Sequence, residues 1–344
     1  RTGWVIFQRA PNRTYFDVPG INNEGHGWNF RMFSGAGNSG QDVLTGTDYR
    51  IGEWQHLVFT WEPQTQNGDV GENGNDRIAA WAAEIEAARR GVRAIPTFTS
   101  RHADFDLATG YAVMLKVYRD RVRAGRLPVG RKIGFTNRTI WDEYGVYAPM
   151  WGYMYDTTAT DLAGEPGGVT LSEFAEPRIE PEVVFHFASA PTADMSEREI
   201  LDCVDQIAHG FEIVQSHYPG WRFQAPDTVA DWALHGTLLV GPRQPLAALG
   251  SGVADALQSF TLDLSCNGRF VESGCGSNVL GSPLAAIVHL LSVLARQPGF
   301  EPLQGGEMVT TGTITAAHPI RAGETWRSEI RGVGLEGLAV TFQA

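Results

Sequence analysis

From residue 76 onward the apolar positions switch between helical and strand spacing. Ile78, Trp81, Ile85, Ala88 and Val92 recur at three- to four-residue intervals behind a polar Asn75 or Asp76 cap, which predicts a helix. A second helix is predicted over residues 104–123, with Leu107, Tyr111, Leu115, Tyr118 and Val122 on one face. Ser196-Glu197-Arg198-Glu199 has the form of a capping box and opens a third, carrying Ile200, Val204 and Ile207 and stopped by Gly210. In a fourth, Ser282 is the cap and Pro283 the first helical residue, followed by Leu284, Ile287, Leu291 and Leu294. Strand-like runs fall at 183–187, 236–240, 260–264, 308–314 and 338–342. Helices and strands follow no regular βαβ alternation, so the expected class is mixed α+β.

The first 66 residues have a different texture, rich in aromatics and Gly/Asn turns, with short strand-like runs at 4–7, 28–33 and 54–61. In the last run Trp54, Leu57, Phe59 and Trp61 stand apolar among polar Gln55, His56 and Thr60, as in a half-buried strand. Gly52-Glu53-Trp54-Gln55-His56-Leu57-Val58-Phe59-Thr60-Trp61 resembles the hallmark strand of laminin-G-like, concanavalin-type jellyroll modules, many of which bind carbohydrate. The segment is short for such a sandwich, so a truncated module or a chimeric junction is implied. Residues 67–75 are polar and Gly/Asn-rich and read as a flexible linker, giving domains at 1–66 and 76–344.

Composition narrows the function. With 43% hydrophobic residues the chain can bury a sizeable core. A net charge of -12 disfavours nucleic acid and anionic membranes as partners, since both require clustered cations. No apolar run is long enough for a membrane span, and the three cysteines, Cys203, Cys266 and Cys275, have no metal-ligand spacing. They read as buried thiols in a reducing, cytoplasmic setting. The start at Arg1 shows neither an initiator Met nor a signal peptide, which reads as a fragment. Only two of the 27 Lys and Arg residues are lysines, Lys116 and Lys132. A lysine retained against such a bias points to a task Arg cannot perform, notably losing its proton.

The candidate chemistry centres on Pro177-Arg178-Ile179-Glu180-Pro181-Glu182-Val183. Residues two apart on a strand face the same side, so Glu180 and Glu182 can present two carboxylates to one hard cation, or else form a solvated strand face. Glu212, flanked by Phe211, Ile213 and Val214, is costly to bury unless paired or metal-bound; the alternative is an edge-strand surface position. Lys132 could exchange protons near neutrality if an apolar wall and a nearby metal lowered its pKa, or be an ordinary surface lysine.

Lys-Ile-Gly-Phe-Thr at 132–136, Pro-Arg-Ile-Glu-Pro-Glu at 177–182, Phe-Glu-Ile-Val at 211–214 and Asp-Thr-Val-Ala-Asp at 227–231 follow one another as in the 2-keto-4-pentenoate hydratases. So do Gly-Cys-Gly-Ser-Asn-Val-Leu-Gly-Ser-Pro-Leu at 274–284 and Thr-Gly-Thr at 311–313. Residues 76–344 thus resemble that family, of the fumarylacetoacetate hydrolase superfamily. The resemblance implies a mixed β-roll catalytic domain with flanking helices, preceded here by the short all-β segment. It makes Glu180, Glu182 and Glu212 ligands of Mg²⁺ or Mn²⁺, Lys132 and Asp156 proton-handling groups, and Thr311, Gly312 and Thr313 a turn over the substrate carboxylate. Gly274 and Gly276 would belong to a substrate-binding loop, or to a plain connecting turn. Trp232 and His289 depart from the family pattern.

The implied activity is hydration of a 2-hydroxypenta-2,4-dienoate-type acid in aromatic catabolism by a cytoplasmic homo-oligomer. Decarboxylation of a 2-oxo-hexenedioate, hydrolysis of an acylpyruvate, and carbohydrate binding by the N-terminal segment are the competing readings.

Overall fold

The helix-start signals act as local chemistry requires. In the computed structural model, which describes residues 16–17, 29–33, 40–44, 72–162, 167–297 and 299–344, α1 (Glu72–Arg90), α2 (Phe98–Arg101) and α3 (Leu107–Arg123) come first in the larger unit. Asp106 caps α3, its carboxylate accepting from the Thr109 amide at 2.8 Å. The buried stripe of α3 is Gly110, Tyr111, Val113, Met114 and Val117. It is rotated from the expected face, leaving Leu107 and Val122 each 41% exposed, because Gly110 lets α3 come close to the Pro226 backbone. The exception is α1, which begins inside the stretch expected to be linker, so Asn75 and Asp76 lie within the helix instead of capping it, and it ends before Val92.

The chain divides into two compact units, Arg1–Gly68 and Asp69–Ala344. In the first, β1 (Phe16–Asp17), β2 (Asn29–Phe33) and β3 (Gly40–Leu44) form an antiparallel sheet in the order β1-β2-β3. The run at 54–61 that carries the jellyroll resemblance lies outside the described residues.

The second unit is built on a curled, mixed nine-stranded sheet. Its main path is β5 (Met150–Tyr155), β4 (Pro128–Gly134), β14 (Met308–Thr310), β8 (Arg178–Phe187), β9 (Val204–Val214), β10 (His235–Val240) and β6 (Ala159–Asp161). Two short strands, β11 (Gln244–Pro245) and β15 (His318–Pro319), pair with β9 and β8. A second sheet runs β13 (Arg269–Cys275), β12 (Thr261–Cys266), β16 (Thr325–Arg331), β17 (Ala339–Gln343) and β7 (Gly167–Thr170). The remaining helices are α4 (Trp141–Tyr144), α5 (Glu197–Asp202), α6 (Ala225–Ala230), α7 (Val253–Ser259) and α8 (Pro283–Leu294).

The capping box at Ser196 and Glu199 forms, but α5 ends at Asp202. The expected continuation to Gly210 is overturned: Val204 onward is β9, paired antiparallel with β8 along nearly its whole length. Val204 and Ile207, three apart, fit the helical period, but the ladder to β8, which skips Asp205 at a bulge, overrides this short helical pattern. The fourth helix stands as expected, with Ser282 accepting from the Ala285 amide at 3.0 Å and Leu284, Ile287, Leu290, Leu291 and Leu294 buried.

Strand β8 carries two cores. Ile179, Val183, Phe185 and Phe187 enter the main apolar cluster on one face, while Val184, Met154, Ala208, Leu238, Val240 and Met308 form a smaller cluster on the other. Close packing of β4 against β14 leaves no space at Gly130, where a methyl group would lie 2.0 Å from the Met308 carbonyl oxygen. Gly130→Ala is therefore expected to destabilise the unit by about 2–3 kcal/mol in urea unfolding. Gly125→Ala, where a methyl would meet open space at φ +79°, is expected to cost about 1 kcal/mol through its left-handed backbone alone.

Candidate metal centre

The strand period sets the site. Glu180 and Glu182 share one face of β8 with Val184, and Glu212 shares the matching face of β9 with Ala208 and Gly210. The antiparallel register puts Glu180 directly opposite Glu212 and Glu182 opposite Gly210. Each of the three carboxylates offers an oxygen within 4.8 Å of the others, and all three residues are buried. The solvated-face alternatives for these glutamates are thereby excluded.

Lys132 reaches the same point from β4. Its ammonium lies 3.2 Å from Glu212 Oε2 and donates to the Ala233 carbonyl at 3.0 Å. The intervening strand makes this possible: β14 pairs with β4 only as far as Thr310, and the chain beyond continues along β8. There Ile314 donates its amide to the Pro181 carbonyl, and the Gly312 amide donates to Glu182 Oε2 at 2.8 Å. Gly312 sits at φ +94°, and a methyl group there would lie 1.9 Å from Thr136 Oγ1. Glycine is required on both counts.

Electrostatics explain what the cluster calls for. Burial, with Glu212 adding repulsion and Lys132 opposing, raises Glu180 to about 7. Burial and the two neighbouring carboxylates push Glu182 well above the carboxylate range. Burial would raise Glu212 too, but Lys132 and the hydrogen-bonded His235 outweigh it and hold Glu212 at about 2. For Lys132 burial alone would lower the pKa, yet the three glutamates raise it. Without a cation in the site, the acids that form it thus favour the charged ammonium; the expected lowering applies to the metal-bound site. His235 Nδ1 lies 2.7 Å from Glu212 Oε1, so it is the donor to that carboxylate, and Nε2 then accepts from the Thr158 hydroxyl at 2.9 Å.

With all three glutamates ionised and Lys132 charged, the cluster carries two uncompensated negative charges, which one divalent cation cancels. Glu182 Oε1 is buried without a hydrogen-bond partner, an acceptor left open for such an ion. An all-oxygen donor set suits Mg²⁺ or Mn²⁺ over softer metals.

A narrow cleft opens from Lys132 and Glu180. Its walls include Phe135, Ile140, Tyr144, Trp221 and Leu234. Arg178 adjoins this wall, donating to the Tyr144 hydroxyl at 2.6 Å with its guanidinium 4.3 Å over the Trp221 ring. Tyr144 and Arg178 were not singled out from sequence as site residues.

Other expected site residues lie elsewhere. Asp156 is exposed past the end of β5, where its carboxylate accepts from the Leu127 amide at 3.2 Å, so the structure does not bring it to the carboxylates. Strand direction carries it past Gly152, the residue paired with Lys132. Gly274 and Gly276 serve close packing: methyl groups there would lie 2.3 Å from the Ile314 carbonyl and 1.9 Å from that of Leu257. Gly274 thus backs the segment bearing Gly312. Thr311 accompanies it, its hydroxyl donating to the Val183 carbonyl at 3.2 Å, and the Thr313 hydroxyl is buried without a partner. Trp232 does not line the cleft, although its neighbours Ala233 and Leu234 do.

Comparison with known proteins places this geometry. The family model for the C-terminal part of fumarylacetoacetate hydrolase matches residues 146–339. A 4-oxalocrotonate decarboxylase from a Pseudomonas species is 28% identical over 270 residues, 77% of this chain and 98% of its own. The 2-keto-4-pentenoate hydratase of Paraburkholderia xenovorans is 29% identical over 254 residues, 74% of this chain and 91% of its own. The solved 4-oxalocrotonate decarboxylase of Pseudomonas putida G7, complexed with magnesium and adipate, superposes with a TM-score of 0.71 at 25% identity, over 78% of this chain and 98% of that one.

Removing one carboxylate should separate metal binding from folding. Glu182→Gln is expected to weaken Mg²⁺ binding in calorimetric titration by at least about tenfold with the circular dichroism spectrum unchanged. Wild-type affinity in that variant would exclude Glu182 as a ligand.

Proposed function

The chain belongs to the fumarylacetoacetate hydrolase family, and from that premise we propose that it is a metal-dependent lyase hydrating a 2-hydroxypenta-2,4-dienoate-type acid to a 4-hydroxy-2-keto acid. The observation that carries this reading is the buried trio Glu180, Glu182 and Glu212, with Lys132 in ion-pair contact. A Mg²⁺ or Mn²⁺ ion held by the trio supplies Lewis-acid stabilisation of negative charge on the oxygens of a 2-keto acid.

The chain's own groups account for the rest. Lys132 Nζ holds a proton at the buried inner end of the cleft beside Glu180, placed to donate it to the substrate. The Tyr144 hydroxyl accepts from Arg178 at the cleft wall. The aromatic and aliphatic walls take an uncharged vinyl tail and limit water beyond the molecule consumed. The overall change adds one water: the dienol shifts to a conjugated enone, the C2 hydroxyl proton being lost and a proton delivered to the carbon chain. Hydroxyl then adds at C4 and hydrogen at C3.

Decarboxylation of a 2-oxo-hexenedioate is the second reading. It is supported by the decarboxylase relatives and by Arg178, whose guanidinium adjoins the cleft where a second substrate carboxylate would extend. Acylpyruvate hydrolysis has no separate support in the geometry. A homo-oligomeric assembly and a cytoplasmic setting also belong to the proposal, on resemblance. Among the described residues no helix is long and apolar enough to cross a membrane.

With Mg²⁺ present, loss of the dienoate ultraviolet band is expected to exceed CO₂ release from 2-oxo-hex-3-enedioate by at least about tenfold in kcat/KM. Arg178→Met should change hydration of the five-carbon acid by less than about threefold. Faster CO₂ release, with Arg178→Met raising KM for the diacid, would transfer the assignment to the second reading. No turnover of either substrate with Mg²⁺ or Mn²⁺ would refute both.

A further inference from the structure

The carbonyl that fixes Lys132 comes from a backbone that ordinary L residues avoid. Trp232, Ala233 and Leu234 follow one another at φ of 55°, 52° and 65°, left-handed values that persist only where the surroundings impose them. The segment supplies both contacts bracketing the Lys132–Glu212 pair: the Ala233 carbonyl to Lys132 Nζ, and His235 Nδ1 to Glu212 Oε1.

One side chain from a helix distant in sequence ties down both ends of this segment. Arg89, next to the last residue of α1, donates through one amino group to Asp231 Oδ1 at 2.9 Å and through the other to the His235 carbonyl at 2.6 Å. Between those bonds its guanidinium lies 3.8 Å over the Trp232 ring, and the Arg121 guanidinium lies over the same ring at 4.2 Å. Asp231 is fully buried and also accepts from the His217 amide at 3.2 Å and from His217 Nδ1 at 2.9 Å, so the anchor itself is fixed. Gly152, lacking a side chain, allows the Trp232 carbonyl to approach; a methyl group there would lie 2.6 Å from it.

We propose that Arg89 is a positioning residue for Lys132: by tying down residues 231 and 235, its forked, stacked guanidinium holds residues 232–234 in the left-handed conformation that aims the Ala233 carbonyl at the catalytic ammonium. Lysine cannot replace it, because an ammonium has no planar fork to span two acceptors while stacking on indole. This also gives Trp232, a departure from the family pattern, a task as the platform under Arg89.

The chain's two lysines, Lys116 and Lys132, make the test direct. In protein labelled with ¹³Cε-lysine two side-chain signals are expected, assigned with Lys116→Arg. Arg89→Ala should shift the Lys132 signal and leave that of Lys116 in place. At saturating Mg²⁺ and substrate, the same variant should lower kcat about 10- to 100-fold. Made in a Lys132→Ala background it should lower kcat by less than about threefold, since the group it positions is gone. Arg89→Lys should restore only part of the loss. An unmoved Lys132 signal, or an equal loss of kcat with and without Lys132, would overturn the proposal. If Arg89→Ala does not fold, Arg89→Gln is read in the same way. The kcat readout rests on the lyase reading, whereas the lysine signals need no substrate. An inactive wild-type protein whose Lys132 signal still moves on Arg89→Ala would defeat the lyase reading and leave the positioning role standing.

Discussion

Three carboxylates buried on one face of two paired strands are the constraint around which this unit is arranged. Glu180 stands directly across the ladder from Glu212, a like-charged pair that destabilises a sheet unless something offsets it. The compensation comes from other elements: the Lys132 ammonium from β4, the His235 imidazole from β10, and the Gly312 amide from the segment following β14. Each satisfies part of one carboxylate, and together they leave a charge deficit suited to a divalent cation. Apolar clusters on both faces of β8 hold the arrangement dry, where charge interactions are strong and an unpaired charge is costly.

The local costs are placed where the chemistry is. Three consecutive non-glycine residues in the left-handed region at 232–234 store on the order of 1–3 kcal/mol each. They persist because Arg89, Asp231 and His217 bind the segment from one side, while Gly152 leaves room for it on the other. Gly312 avoids a similar strain only by lacking a side chain, and Gly274 lets the segment at Ile314 come close. Gly152 and Gly274 therefore mark places where backbone must approach backbone around the site.

The site was legible in sequence where it depends on local period and composition. Glu180 and Glu182 lie two apart in a β-rich run, so a common face followed from strand geometry. Lys132 stood out by its rarity. Glu212 was marked by its apolar neighbours, although its strand begins at Val204, within what helical spacing had claimed. That spacing misled because Val204 and Ile207, three apart, fit the helical period over a few residues, and only the pairing with β8 overrides it. Asp156, assigned by resemblance, proves exposed, since nothing in a short motif records where a strand end projects. Tyr144, His235 and Arg89 carried no local signal, because each acts through a contact with residues remote in the chain, and Arg178 lay in the quoted motif with nothing there to show its contact with Tyr144.

The sequence by itself determined the alternation that puts two carboxylates on one strand face, the caps that start α3, α5 and α8, and an apolar content large enough to bury them, all consequences of steric and hydrogen-bonding preferences acting over a few residues. Only the tertiary structure decided that Glu212 would face Glu180, that Lys132 would reach them where its pairing with β14 ends, and that Arg89 would hold the Ala233 carbonyl. Those outcomes depend on strand register and helix docking, which the whole core sets at once and no local segment encodes.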